Sequence, residues 1–333
     1  FKEIRDFLES KQIKHTSETD SEVISNLIAY QLNQTFNFKR NTVLQALQVA
    51  LRQLKGSYAI VFICKHFPDK IFYAKKGSPL VLGNKKGCNY VSSDIYTFID
   101  KTDQVLYLND GDYGYIEALN VSRFNLKIIK GQELNWTKVS STYHNADLGN
   151  YQHYMIKEIC EQKDIVKNTI NGQGKKDLNN IIKLIISANR ILFSACGSSY
   201  YASMIASRFF WSKGIDSINI LSSEFSSYKE TLDSKDLVIC VSQSGETADI
   251  IDSINIAKLK GCKIVGIVNT PNSTIDRLSD YTIYLNAGPE ICVLSTKSFT
   301  SQVALFILIF NKMFQEETSF RSIESNIYEL VAE

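Results

Sequence analysis

Between Ser242 and Thr247 the chain places three hydroxyls, one amide and one glycine in six residues, Ser-Gln-Ser-Gly-Glu-Thr. The run Leu237 to Val241 before them is wholly apolar and reads as a buried parallel strand. Ile250, Ile251, Ile254 and Ala257 after them fall on one face of a helix. The hydroxyls therefore sit on a strand-to-helix turn. Such a turn presents free backbone N–H groups and the positive end of a helix dipole, which suits an anion. Gly245 would let the backbone approach a ligand closely, and Ser242, Ser244 and Thr247 could donate to phosphate oxygens. One hydroxyl would suffice for a plain helix cap. Three hydroxyls and Gln243 exceed that need and point to phosphate.

The elements needed to position this turn are legible around it. From Ile181 onward strands alternate with helices: strands at 191–195, 216–221, 237–241, 263–269 and 281–286, helices at 199–213, 224–232, 247–260, 273–278 and 296–314. That alternation predicts a doubly wound, mainly parallel five-stranded sheet. Ligands of such sheets sit beyond the carboxyl ends of the strands, near a topological switch. Gly214 and Gly261 stand where helices must end. No Gly-x-Gly-x-x-Gly opens a helix, which argues against a dinucleotide site. Residues 1–145 read instead as α+β. Helical patterns at 1–11, 20–34 and 41–54 precede short strands at 57–65, 71–75, 80–83, 89–92, 104–108 and 112–118. A polar junction at 143–151, a linker helix at 153–169 and a turn at Gly172-Gln173-Gly174 connect the halves. No strand precedes that turn, so it is not a phosphate loop.

The hydroxyl turn resembles the signature of the sugar isomerase (SIS) domain, a phosphosugar-binding fold. Ala195-Cys196-Gly197-Ser198-Ser199-Tyr200, Ser223-Glu224-Phe225, Ser295-Thr296-Lys297-Ser298-Phe299-Thr300 and His153-Tyr154-Met155-Ile156-Lys157-Glu158-Ile159 extend the likeness. Together they resemble the glutamine–fructose-6-phosphate aminotransferase family. In the first half, Ser17-Glu18-Thr19-Asp20-Ser21-Glu22, Gly56-Ser57-Tyr58-Ala59 and Gly77-Ser78-Pro79-Leu80 match that family's glutaminase domain. The resemblance implies an α/β chain: the back part of a layered α+β glutaminase of the N-terminal-nucleophile (Ntn) type at 1–145, a linker at 146–180 and a SIS domain at 181–320. Residues 321–333 would begin the connection to a second SIS domain. The implied reaction moves the amide nitrogen of glutamine to fructose-6-phosphate and isomerises it to glucosamine-6-phosphate, for amino-sugar synthesis. No metal, nucleotide or other cofactor is implied. The intact enzyme is expected to be a homodimer. The alternative is a SIS module that holds phosphosugar without turning it over.

Site residues follow from the same resemblance. Ser198 and Ser199 would hold the sugar, Ser198 replacing the usual threonine. Ser242, Gln243, Ser244 and Thr247 would cradle the phosphate. Val293 would contribute a backbone contact and Ser295 a hydroxyl, unless Ser295-Thr296 merely caps the last helix. Glu224 resembles a family residue at a strand end, or serves only as a first-turn acid. Asp20 resembles the aspartate that binds the α-amino group of glutamine, but Thr19-Asp20-Ser21-Glu22 also fits a capping box with Thr19 as cap. Lys297 could be cast as a Schiff-base amine, a role the family gives to a lysine elsewhere. The family's nucleophilic cysteine, ring-opening lysine, proton-moving base and histidine have no counterpart between Phe1 and Glu333. No catalytic residue is therefore assigned in this chain, and it is expected not to hydrolyse glutamine by itself.

The composition is consistent with these expectations. The chain has 333 residues and a net charge of +2, so it carries no electrostatic footprint for nucleic acid. No apolar run approaches a membrane span. Seven scattered cysteines and four histidines show no metal-knuckle spacing, which suggests a reducing cytoplasm with no disulfide framework. Cys64, Cys196 and Cys240 fall in apolar contexts and read as small hydrophobes. Val303 to Phe310 is continuously apolar. That helix is either a core helix covered on every side or a face awaiting a second domain or subunit.

Overall fold

The computed structural model describes residues 1–34, 40–127, 131–139 and 148–314. The chain divides into two compact units, Phe1–Ser141 and Thr142–Glu333. Residues 143–147 of the expected junction and all of 321–333 lie outside the described residues.

Among the described residues the first unit builds three α-helices, a short 3₁₀ helix (Ile95–Thr97) and eight strands. Helices α1 (Lys2–Ser10), α2 (Asp20–Asn33) and α3 (Arg40–Leu51) are followed by β1 (Tyr58–Cys64), β2 (Phe67–Lys76), β3 (Val81–Lys85) and β4 (Cys88–Ser92). Strands β5 (Gln104–Tyr107), β6 (Asp112–Ile116), β7 (Val121–Asn125) and β8 (Thr137–Lys138) complete it. They form two four-stranded sheets, β1-β2-β6-β7 and β4-β3-β5-β8, in which every pairing is antiparallel. The period of two along β2 explains the layering. Phe72 and Ala74 pack with Leu8, Leu27 and Leu47 of the helices, while Tyr73 packs with Leu82 and Leu106 of the other sheet and Leu108 just past β5.

This unit differs from expectation in its strands and in its cap. Neither β7 nor β8 was expected, and β7 carries Arg123 in the middle of its pattern. The guanidinium is buried against Asp112, which also accepts from Asn125 Nδ2 at 2.7 Å and Asn109 N at 2.7 Å. A charge with that many partners can be buried at tolerable cost. The capping box is also displaced. Thr19 occupies the N-cap position of α2 but its side chain makes no cap bond. Glu22 instead reaches past it to accept from Thr16 N at 2.7 Å and from Ser17 N and Oγ, each at 2.6 Å. Hydrogen bonds from the Ser17 hydroxyl and from Thr16 pull the Glu22 carboxyl down to about 2. A carboxyl whose folded pKa is depressed favours folding above its unfolded value near 4.3, and this is lost as pH falls toward 2. Glu22→Gln should therefore lower the melting temperature at pH 7, with the gap to wild type closing by pH 2. A gap that is constant with pH would sink this account.

The second unit opens with α4 (Tyr154–Asn171) and α5 (Lys175–Ser187). Then come β9 (Arg190–Ala195), α6 (Gly197–Trp211), β10 (Ser217–Leu221) and a 3₁₀ helix (Ser222–Thr231). The chain continues through β11 (Asp236–Ser242), α7 (Ala248–Leu259), β12 (Lys263–Val268), α8 (Thr274–Leu278), β13 (Tyr281–Tyr284) and α9 (Lys297–Phe314). The sheet order is β10-β9-β11-β12-β13, with every pair parallel. Both faces are covered, so the strands alternate between two cores. Leu237, Ile239 and Val241 of β11 pack on the side of α5, α6 and α9. Val238 and Cys240 pack on the side of α7 and α8. The short helix expected at 224–232 is present as a 3₁₀ helix that begins at Ser222 and ends at Thr231.

Helix α9 is a core helix. Leu305, Phe306, Ile309 and Phe310 join the main cluster, and α4, α5 and α6 pack around it. Ala304 and Ile307 are buried and Val303 and Leu308 are half-buried. Helix α4, expected as a linker, lies against α9 within the second unit. The described structure therefore covers this helix from within the unit.

Candidate functional site

The strand order reverses direction between β9 and β11. The chain leaves β9 toward β10 on one side, then returns to build β11, β12 and β13 on the other. That reversal is the switch point of a doubly wound sheet, where ligands sit beyond the strand ends. Ala195 and Val241 are register partners on these two adjacent strands. The turns that follow them, Cys196–Ser199 and Ser242–Thr247, are therefore neighbours on one sheet edge. Each leads into a helix of ample length, α6 or α7.

Neither helix is capped by its own cap residue. Cys196 and Thr247 hold the N-cap positions, and neither side chain makes a cap bond. The simple capping explanation of the hydroxyls thus fails at Thr247. The first N–H groups of a helix have no partner within it, so two positive helix ends face the switch point without their side-chain caps.

The internal bonds of the second turn show how it is built. Ser242 is 3% exposed. Its Oγ accepts from Gly245 N at 3.0 Å and pairs with Thr247 Oγ1 at 3.0 Å, which closes the loop from beneath. Glu246 N donates to Ser244 Oγ at 3.2 Å. Ser244, Gln243 and Thr247 are half-buried, at the surface of the turn. The turn is braced from behind. Glu246 turns its carboxylate away to accept from Thr274 N at 2.7 Å and Thr274 Oγ1 at 2.8 Å, at the start of α8. Gly245 adopts φ +70°, and an added Cβ would lie 2.0 Å from Ser273 Oγ.

At the first turn, Ser198 is half-buried and Ser199 is buried. Ser199 Oγ accepts from Gln302 Nε2 of α9 at 2.9 Å, which leaves its own proton available to a ligand. Asn269, just past β12, links the phosphate-type turn to the chain beyond β13. Its N donates to Gln243 O at 3.1 Å, its Nδ2 to Gly288 O at 2.7 Å, and its Oδ1 accepts from Ala287 N at 2.9 Å.

The segment 290–296 lies beyond β13. Val293 is 100% exposed and Ser295 is exposed with its Oγ 2.8 Å from Ser298 Oγ. The N-terminus of α9 is not capped by Ser295. Glu290 fills it, accepting from Thr296 N and Ser298 N, each at 3.0 Å, and from Ser298 Oγ at 2.6 Å. Lys297 is buried, and its amine donates to Glu161 Oε2 of α4 at 2.7 Å. A Schiff-base amine must be free to lose its proton and reach the sugar; this one is held on a carboxylate. Glu224 is exposed in the 3₁₀ helix. Asp20 is exposed at the first position of α2, in the other unit.

Sequence reasoning missed Glu246, Asn269, Ser273, Glu290 and Gln302. Only Glu246 had a visible signal, as the one charge inside an anion-type turn. The described residues contain no group of three potential metal ligands and no helix long and apolar enough to cross a membrane. Cys240 is buried, and burial pushes its thiol well above the usual range. Cys64 and Cys196 are only half-buried, while Cys262, not singled out from the sequence, is buried.

The SIS domain family model matches residues 184–312, the stretch that carries the parallel sheet and the paired turns. Along nearly its whole length the chain is homologous to glutamine–fructose-6-phosphate aminotransferases [isomerizing]. It is 37% identical over 320 residues to that of Thermotoga maritima, covering 93% of this chain and 51% of that protein. It is 34% identical over 330 residues to that of Aquifex aeolicus, covering 97% of this chain and 53% of that protein. The chain thus spans about half the length of these curated relatives. A solved structure, the C-terminal domain of glucosamine-fructose-6-phosphate aminotransferase from Francisella tularensis, is 30% identical, covers 56% of each chain and superposes with a TM-score of 0.49.

Proposed function

We propose that the second unit binds a phosphosugar, fructose-6-phosphate, as part of a glutamine–fructose-6-phosphate aminotransferase acting in the cytoplasm. The observation that carries this reading is the pair of hydroxyl-bearing, self-uncapped helix ends at the switch point. The phosphate would take donors from Ser244, Thr247, Gln243 and the first N–H groups of α7, with Ser242 bracing the turn from beneath. Ser198 and Ser199 would donate to sugar oxygens, and the Val293 backbone and Ser295 would close the far side. Glu224, exposed in the 3₁₀ helix that follows β10, would contact the sugar from that side. Hydroxyls and helix ends suit this ligand because they bind a dianion without a buried cation.

In the intact enzyme the amide nitrogen of glutamine would replace the C2 oxygen of the opened sugar, and a proton would pass from C1 to C2. Asp20 would bind the α-amino group of glutamine in the first unit, and the enzyme would act as a homodimer. Calorimetric titration of this chain with fructose-6-phosphate tests the binding step. Saturable heat that inorganic phosphate competes away is expected. An absence of heat at millimolar ligand would overturn the reading. Binding without turnover when the missing length of the relatives is supplied would favour a holding module instead.

A further inference from the structure

We propose that Glu158 is a positioning residue for the sugar side of the site, reaching it from a helix outside the SIS-matched residues. The proposal rests on the phosphosugar reading above. Glu158 lies in α4, 26 residues before the matched segment begins at 184. It is 1% exposed. Its Oε1 accepts from two consecutive backbone N–H groups, Ile291 at 2.7 Å and Cys292 at 3.0 Å. Its Oε2 accepts from Thr296 Oγ1 at 2.8 Å. A buried carboxylate is tolerated only when donors surround it, and here the donors all come from one segment 133 to 138 residues away.

That segment has little else to fix it. It lies outside any strand or helix, and Val293 and Leu294 at its tip are exposed apolar residues without a core to enter. Glu290 holds its far end against the start of α9 through Thr296 and Ser298. Glu158 holds the two peptides immediately before Val293. It would therefore fix the Val293 backbone and Ser295, the two groups that the phosphosugar reading assigns to the sugar. The 242–247 turn has separate braces, Glu246 on Thr274 and Asn269 on Gln243. Helix α4 has separate anchors too: Ile165 in the core, Thr169 Oγ1 on Leu285 O at 2.6 Å, and Glu161 on Lys297. Loss of the Glu158 carboxylate should thus loosen the sugar segment while leaving the phosphate turn and the helix in place.

The test is titration of the full chain, as wild type, Glu158→Ala and Glu158→Gln, with fructose-6-phosphate and separately with inorganic phosphate. Glu158→Ala should weaken fructose-6-phosphate about tenfold or more, as expected for lost hydrogen bonds to a positioned segment, and leave inorganic phosphate within about twofold. Glu158→Gln should recover most of the affinity, because its amide oxygen still accepts both backbone N–H groups. Equal losses for both ligands would mark a general structural role and overturn the proposal. So would an unchanged affinity for fructose-6-phosphate in Glu158→Ala. A wild-type chain that binds inorganic phosphate but not fructose-6-phosphate would refute the phosphosugar reading itself, and the positioning role with it.

Discussion

Replacing Ser244 and Thr247 together by alanine should reduce the affinity of this chain for fructose-6-phosphate by about 100-fold or more. Each hydroxyl would donate to a charged phosphate oxygen, and such a bond contributes about 1.5–3 kcal/mol. Two of them correspond to at least two factors of ten, at about 1.4 kcal/mol per factor. The fold should survive the change. Both side chains are only half-buried, and the bond from Gly245 N to Ser242 Oγ still closes the loop when the Ser242–Thr247 pairing is removed. Thr247→Ser provides the control, because it keeps the hydroxyl that pairs with Ser242 at 3.0 Å. It should bind nearly as well as wild type. Calorimetry with a parallel thermal melt makes the measurement. A double variant that melts normally and binds normally would move the phosphate site away from this turn.

Gly245→Ala should be more damaging, because it affects binding and folding together. The residue sits at φ +70°, where an L side chain costs roughly 1–2 kcal/mol. Its Cβ would also fall 2.0 Å from Ser273 Oγ and 2.5 Å from Ser273 Cβ. Ser273 is fully buried at the N-cap of α8 and cannot step aside without moving that helix. Overpacking of this kind adds about 1–3 kcal/mol. The sum, roughly 2–5 kcal/mol, should be visible as a lower urea midpoint, with binding lost as the turn shifts. Ser273→Gly in the same chain removes the clash but not the backbone strain, so it should restore only part of the stability. A Gly245→Ala chain with wild-type midpoint and affinity would show that the turn is not held as described.

Much of the second unit was legible because its signals are local. The apolar run 237–241, the hydroxyl turn and the spacing of Ile250, Ile251 and Ile254 each occupy a few consecutive residues. A fully buried parallel strand has no polar face to blur the pattern. The first unit was harder. Strand β7 carries a charge whose partner, Asp112, lies on the neighbouring strand, so its pattern makes sense only after β6 and β7 pair. The capping box was misread for a similar reason. Glu22 has the right spacing to serve Thr19, but the backbone before α2 folds so that Thr16 and Ser17 present closer donors.

The two hydroxyl turns, the alternation that places them at strand ends and the family resemblance that both carry can all be read along the chain. Strand ends and helix starts follow from periodicity and composition, which are properties of neighbouring residues. That the turns adjoin is visible only in the fold, since strand order is fixed by pairing between residues far apart in the chain. It alone decided that Ser242 is buried while Ser244 and Thr247 stay half-buried, and that α9 is covered by α4. It alone brought Glu158 to the 291–296 segment and Gln302 to Ser199. A buried carboxylate or amide must find its partners wherever the fold brings donors and acceptors, and no local pattern encodes where that will be.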